Sequence, residues 1–116
     1  MSEAYTTGSW NPTPDSSDAF IEAWTQFAAW ASGMPGAGRL RLVRDLRDPE
    51  RYVSFGGWES IDSVRDWKES PEFRERMAQV LQHVAEFHPA ELELVATARG
   101  GTVTPTAAFA GHARTA

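Results

Sequence analysis

The side chains best placed to do chemistry are aromatic before they are ionic. Five tryptophans in 116 residues, Trp10, Trp24, Trp30, Trp58 and Trp67, are many for so small a core. Indoles serve as plain core, and they also wall cavities for flat ligands, where each ring pair adds about 0.5–1.5 kcal/mol beyond burial. Ser54 and Tyr52, on the segment that ends in Trp58, are the polar side chains nearest such a wall. The three histidines, His83, His88 and His112, lack the i, i+4 spacing of a metal-binding pair. His83 is expected near a helix end and His88 before a proline at a strand start, both as surface residues. Asp15 with Asp18, and Glu72 with Glu75, fall at helix starts, where carboxylates favour the dipole. There is no cysteine, which rules out a disulfide framework, a thiolate zinc site, an iron–sulfur cluster and a cysteine nucleophile. The glycines of Gly33-Met34-Pro35-Gly36-Ala37-Gly38 follow a helix and precede a strand, the reverse of a dinucleotide fingerprint. No cofactor is expected.

The elements that must position these residues follow from periodicity. Tyr5 to Trp10, rich in Thr, Ser and aromatics, reads as a first strand weakened by Gly8. After two prolines, Asp15, Ser16 or Ser17 can cap a helix whose stripe of Phe20, Ile21, Trp24, Phe27, Ala28 and Ala31 runs to about Ser32. Arg39 to Leu46 alternates as a strand, and Arg51 to Trp58 is its hairpin partner across a turn-rich loop. Ser60 caps a short helix carrying Ile61, Val64 and Trp67. Ser70-Pro71 opens another, with Phe73, Met77, Val80, Leu81 and Val84 on one face, expected to reach Ala85. Phe87-His88-Pro89 reads as its stop, and Glu91 to Ala96 as the last strand. The order is β-α-β-β-α-α-β.

That order makes an α+β domain over residues 1–98, a ferredoxin-like plait with one antiparallel sheet and helices on one face. The second face has no helix to cover it, and Tyr52, Ser54 and Trp58 read as alternate residues on it that are not uniformly polar. A second copy laid sheet against sheet would shield them, so a homodimer is expected. A ligand cavity is expected between each sheet and its own helices. Residues 99–116, with glycines and few large apolar groups, read as a mobile tail or one draped over a partner through Phe109. Sixteen acidic residues against 11 basic ones give a net charge of −5, which argues against nucleic acid. No signal peptide and no apolar run long enough for a bilayer are seen, so a soluble cytoplasmic protein with no membrane partner is expected.

The order of elements, the segment Arg51-Tyr52-Val53-Ser54-Phe55-Gly56-Gly57-Trp58-Glu59-Ser60 and the following Trp67-Lys68-Glu69-Ser70-Pro71-Glu72-Phe73 resemble the antibiotic biosynthesis monooxygenase family of dimeric α/β barrels, over about residues 5 to 97. The resemblance implies a homodimer and two branches of chemistry. In the cofactor-independent branch, O2 oxidises an ionised aromatic quinol or anthrone of polyketide type in a dry aromatic pocket. Trp58 matches that branch's strand-ending Trp, Ser54 stands at its Asn position four residues earlier, and Val64 stands at its Tyr position. In the heme-degrading branch, Trp67 matches the Trp of the short helix. There the first-strand Asn falls on Gly8 and the iron-binding His on Met77. The first branch is therefore the expected function, with Trp58, Trp67, Ser54 and Tyr52 as catalytic residues and Trp10, Trp24, Phe27, Phe73 and Met77 as substrate-binding ones. The alternatives are a non-oxidative ligand-binding, isomerase or cyclase-like protein and, behind it, a heme-binding one.

Overall fold

The computed structural model describes residues 3–105. Its main body is a four-stranded antiparallel sheet in the order β2-β3-β1-β4, built from β1 (Ala4–Pro12), β2 (Ala37–Arg44), β3 (Tyr52–Trp58) and β4 (Val84–Glu93). Three helices, α1 (Ser17–Ala31), α2 (Ile61–Glu69) and α3 (Pro71–Leu81), pack on one face of it. This is the ferredoxin-like α+β plait the sequence pattern implies.

Helix α1 buries Phe20, Trp24, Phe27, Ala28 and Ala31, spaced three and four apart as an amphipathic stripe requires. Its start is not side-chain capped. Asp15 takes a positive φ of 63°, the chain turns with Ser16 donating to the Thr13 carbonyl, and the Ser16 carbonyl accepts the Phe20 amide at 2.8 Å. Ser60 does cap α2, its Oγ accepting the Ser63 amide at 3.2 Å. Ser70 instead donates its hydroxyl back to the Trp67 carbonyl at 2.7 Å, closing α2 while Pro71 opens α3.

Two boundaries differ from the sequence expectation. Helix α3 stops at Leu81 rather than Ala85, because His83 closes a turn onto the Val80 carbonyl and Val84 then pairs with Pro12. Strand β4 therefore contains Phe87, His88 and Pro89 instead of starting after them, and it ends at Glu93. A proline is tolerated there because β4 is an edge strand with one side free of ladder bonds. The tail expected from residue 99 begins instead as a hairpin. Strands β5 (Ala96–Arg99) and β6 (Thr102–Pro105) are joined by Gly100 and Gly101 at φ 59° and 84°, the paired positive φ of a tight two-residue turn. Every residue of both strands is exposed. Phe109 and His112 lie outside the described residues.

A larger correction concerns which face each strand residue takes. Tyr52 and Trp58 are 3% and 2% exposed and lie on the helix-covered face, together with Ser54, because they alternate in register with Trp10, Gly8 and Ala4 of β1. The uncovered face carries the other set: Tyr5, Thr7 and Ser9 opposite Gly57, Phe55 and Val53, with Val43 and Leu92 on the flanking strands. A one-residue change of parity exchanges the two sets entirely.

Candidate functional site

Between the helix-covered face and the helices lies a cavity of about 170 Å³ that opens to solvent. Trp24 and Phe27 of α1 and Phe73 and Met77 of α3 form its roof. Thr6, Gly8 and Trp10 of β1, with Ser54 of β3 and Phe87 and Pro89 of β4, form its floor. Among the described residues, Lys68 of α2 is the one charged residue lining it. The volume is close to the roughly 150 Å³ of an engineered apolar cavity that takes up benzene. One aromatic ring fits inside, and the rest of a larger polycycle would project through the opening.

The polar atoms on the floor are arranged in pairs. Trp10 donates its Nε1–H to Ser54 Oγ at 2.9 Å, and Trp58 donates its Nε1–H to Thr6 Oγ1 at 3.1 Å. An indole nitrogen only donates, so each hydroxyl oxygen is an acceptor toward its tryptophan and keeps its own proton to give away. Among the described residues neither hydroxyl donates that proton to the protein. Thr6 and Ser54 are diagonal neighbours across the β1–β3 ladder, since Thr6 faces Gly56 and Gly8 faces Ser54. The floor thus offers two adjacent O–H donors to whatever fills the cavity.

Gly8 is what lets these groups converge. A Cβ there would lie 2.8 Å from Trp10 Nε1, 2.9 Å from the Phe87 ring and 3.0 Å from Ser54 Oγ. With only hydrogen at that point, the Trp10 indole lies flat against Phe87, ring centroids 3.9 Å apart, and reaches over β1 to Ser54.

Six of the residues singled out from the sequence meet at the cavity: Trp10, Trp24, Phe27, Ser54, Phe73 and Met77. Trp58, Trp67 and Tyr52 do not line it. Trp58 acts on it only through Thr6. Trp67, 4% exposed, stacks on Trp58 at 4.7 Å and meets the Phe73 ring edge-on at 4.9 Å, and its Nε1–H has no acceptor. The Tyr52 hydroxyl accepts Arg44 Nη2 at 2.8 Å and Nε at 3.1 Å, and its ring packs on Phe20. Trp30, also outside the cavity, sits beneath the Arg76 guanidinium at 4.9 Å.

Sequence reasoning missed Thr6, Gly8, Phe87 and Lys68 as cavity residues. Thr6 and Gly8 share the parity of Trp10 along β1, a signal that period-two alternation carried. Phe87 was assigned to a helix stop, so its strand face could not be read. The histidines take no part: His83 closes the turn after α3. His88 Nε2 stands 3.5 Å from Glu86 on exposed β4. Among the described residues no three His, Asp or Glu side chains gather as metal ligands.

Among the described residues two groups titrate away from their ordinary values, both outside the cavity. Tyr5, on the uncovered face, is raised, chiefly by burial and then by the Glu3 carboxylate its hydroxyl bonds at 3.2 Å. Asp45 is lowered from 3.8, first by the Arg47 and Asp48 amides its Oδ1 accepts and then by Arg51.

A sequence model of the antibiotic biosynthesis monooxygenase family matches residues 5–79. No curated protein matches the chain. Among solved structures, SnoaB from Streptomyces nogalater, a cofactor-independent oxygenase, superposes with a TM-score of 0.72 at 19% identity, covering 85% of this chain and 95% of that one. A protein of Chloroflexus aurantiacus assigned to the same family gives 0.69 at 24% identity, covering 87% and 100%. One from Nitrosomonas europaea, also assigned there, gives 0.70 at 19% identity, covering 80% and 91%. At these identities the structural likeness speaks for the fold.

Proposed function

The chain belongs to the antibiotic biosynthesis monooxygenase family, and from that premise we propose that it is a cofactor-independent monooxygenase that oxidises an aromatic quinol or anthrone-like substrate with O2. The observation that carries this reading is the cavity: aromatic walls around two hydroxyls that each accept an indole N–H and keep their own proton to donate. Such a floor suits an oxygen that bears negative charge, as an ionised phenol does. The apolar walls exclude the water that would otherwise protonate it.

In this reading the ring lies between Trp24, Phe27 and Met77, and Ser54 and Thr6 donate to its phenolate oxygen. The electron-rich anion passes one electron to O2. The radical and superoxide then join as a carbon–oxygen bond at the position activated by the phenolate. Heterolysis of the O–O bond leaves one oxygen on that carbon as a carbonyl, and the other departs as water with the two hydrogens the substrate gives up. Among the described cavity residues there is no carboxylate or imidazole, so the substrate's own acidity, aided by the donors, supplies the anion.

Heme does not suit this cavity. The residue at the expected ligand position is Met77, a thioether in the aromatic roof, and no histidine lines the cavity among the described residues.

The subunit works, in this reading, as a homodimer closed over the uncovered sheet face, where Val43 and Leu92 are each about half exposed beside Phe55. No helix is long and apolar enough to cross a membrane among the described residues. Oxygen uptake with anthrone tests the reaction: one O2 consumed per anthraquinone formed, with an atom of 18O2 retained in the new carbonyl, no H2O2 released and the rate suppressed in Ser54→Ala, supports it. Ligand binding with no uptake above the uncatalysed rate leaves a non-oxidative binding protein instead.

A further inference from the structure

We infer that Lys68 gives the cavity a charge preference: it takes an aromatic anion, whose acidic oxygen replaces Glu91 as the partner of the Lys68 ammonium. This rests on the cavity being a ligand site and is independent of any oxygen chemistry. Lys68 is the only lysine in the chain and, among the described residues, the one charged residue lining the cavity. Its Nζ stands 3.0 Å from Glu91 Oε2, with side chains 27% and 39% exposed. A pair that open to water contributes little and exchanges readily.

The register places that pair beside the donors on the floor. Glu91 is the Cα partner of Thr6 across β1 and β4. The ammonium and the Thr6 hydroxyl therefore serve one end of the cavity, while Trp24, Phe27 and Met77 hold the apolar remainder. An anionic oxygen entering there meets a cation and an O–H donor, without which burying its charge would be costly.

Glu91 has somewhere to go. It also borders a surface groove with Arg65, Glu3 and Glu93, and Arg65 makes no ion pair among the described residues. A ligand anion on Lys68 leaves Glu91 free to turn to that guanidinium. The phenolate of an aromatic alcohol and the carboxylate of an aromatic acid share the required chemistry.

The test uses 4-nitrophenol, a single ring whose anion absorbs visible light and whose neutral form does not. Its apparent pKa is read by absorbance with and without saturating full-length protein, with no turnover involved. The expected result is a downward shift of about one unit, or about tenfold tighter binding of the anion. Lys68→Met, which keeps the apolar stem, should abolish the shift and still bind the neutral phenol. Glu91→Gln should enlarge it by removing the competitor. Benzoate, but not benzamide, should displace the phenolate from the unmodified protein only. Stronger displacement by benzoate than by a second phenol assigns the site to carboxylates, and the reverse to phenolates. Bound 4-nitrophenol with an unshifted pKa, or a shift that survives Lys68→Met, overturns the inference while the cavity stands. Failure to bind either form overturns both it and the cavity as a ligand site. Absent O2 uptake alongside a Lys68-dependent shift overturns only the oxygenase reading.

Discussion

The two faces of the sheet are made from alternate residues of the same strands, yet they do opposite things. On the helix-covered face Trp10, Ser54, Trp58 and Thr6 are drawn together by two indole–hydroxyl bonds around a space left unfilled. On the uncovered face Phe55, Val53 and Val43 form a part-exposed apolar strip, and the polar groups beside it bond at its margins, Ser9 Oγ accepting from Arg51 at 3.1 Å and the Tyr5 hydroxyl donating to Glu3. Here the indole–hydroxyl pairs lie on the enclosed side, where low dielectric strengthens each donor, and the uncovered side leaves Val43, Phe55 and Leu92 part-exposed.

The sharpest way to break that contrast is Trp58→Ala. It removes a ring 2% exposed, its stack on Trp67 and its bond to Thr6 together. The expected loss is about 3–5 kcal/mol in urea unfolding, enough to unfold a marginal domain. Gly8→Ala is next. The added methyl must push apart Trp10, Phe87 and Ser54, at a cost of about 1–3 kcal/mol. Calorimetry with 4-nitrophenol should show its binding weakened as well, because the Trp10–Ser54 bond is disturbed.

On the uncovered face Val43→Glu should separate stability from assembly. The residue is 47% exposed, so unfolding of the dilute protein should change by about 0.5 kcal/mol or less. Light scattering should fall from the mass of two chains to that of one. The smallest effect is expected in the loop before β3, where Arg51 bonds both Asp45 and Ser9 Oγ. The Asp45 carboxyl titrates below its ordinary value because amides donate to its charged form. Its contribution to stability is therefore present above about pH 4 and is lost as the pH falls through the lowered folded value. Asp45→Asn should lower the unfolding midpoint slightly at neutral pH, and the difference from the unmodified protein should close as the pH falls below about 4.

How far the sequence carried this picture depends on the kind of signal. Helix stripes such as Phe20, Trp24, Phe27 and Ala31 are legible because a 3.6-residue period and burial coincide. Two of these residues, Trp24 and Phe27, line the cavity. The floor was harder. Tyr52, Ser54 and Trp58 were assigned to the wrong face, since alternation reveals two sets but not which one meets the helices. The aromatic-hydroxyl pairs depend on the diagonal geometry of β1 against β3, which no local pattern encodes. Gly8 read as a flaw in a strand and is instead the point of closest approach. Pro89 read as a boundary, because its tolerance depends on β4 being an edge. Lys68 carried no signal beyond being the only lysine.

The central claim is that a ligand ring sits on the floor beside the hydroxyls fed by Trp10 and Trp58. It is tested most directly by following the indole N–H resonances of the five tryptophans during an anaerobic titration with 1,4-dihydroxynaphthalene. The account predicts that those of Trp10, Trp58 and Trp24 move together and saturate, while that of Trp30 under Arg76 stays in place. Movement of Trp30 with Trp10 and Trp58 unmoved, or no movement at all at saturating ligand, would contradict it.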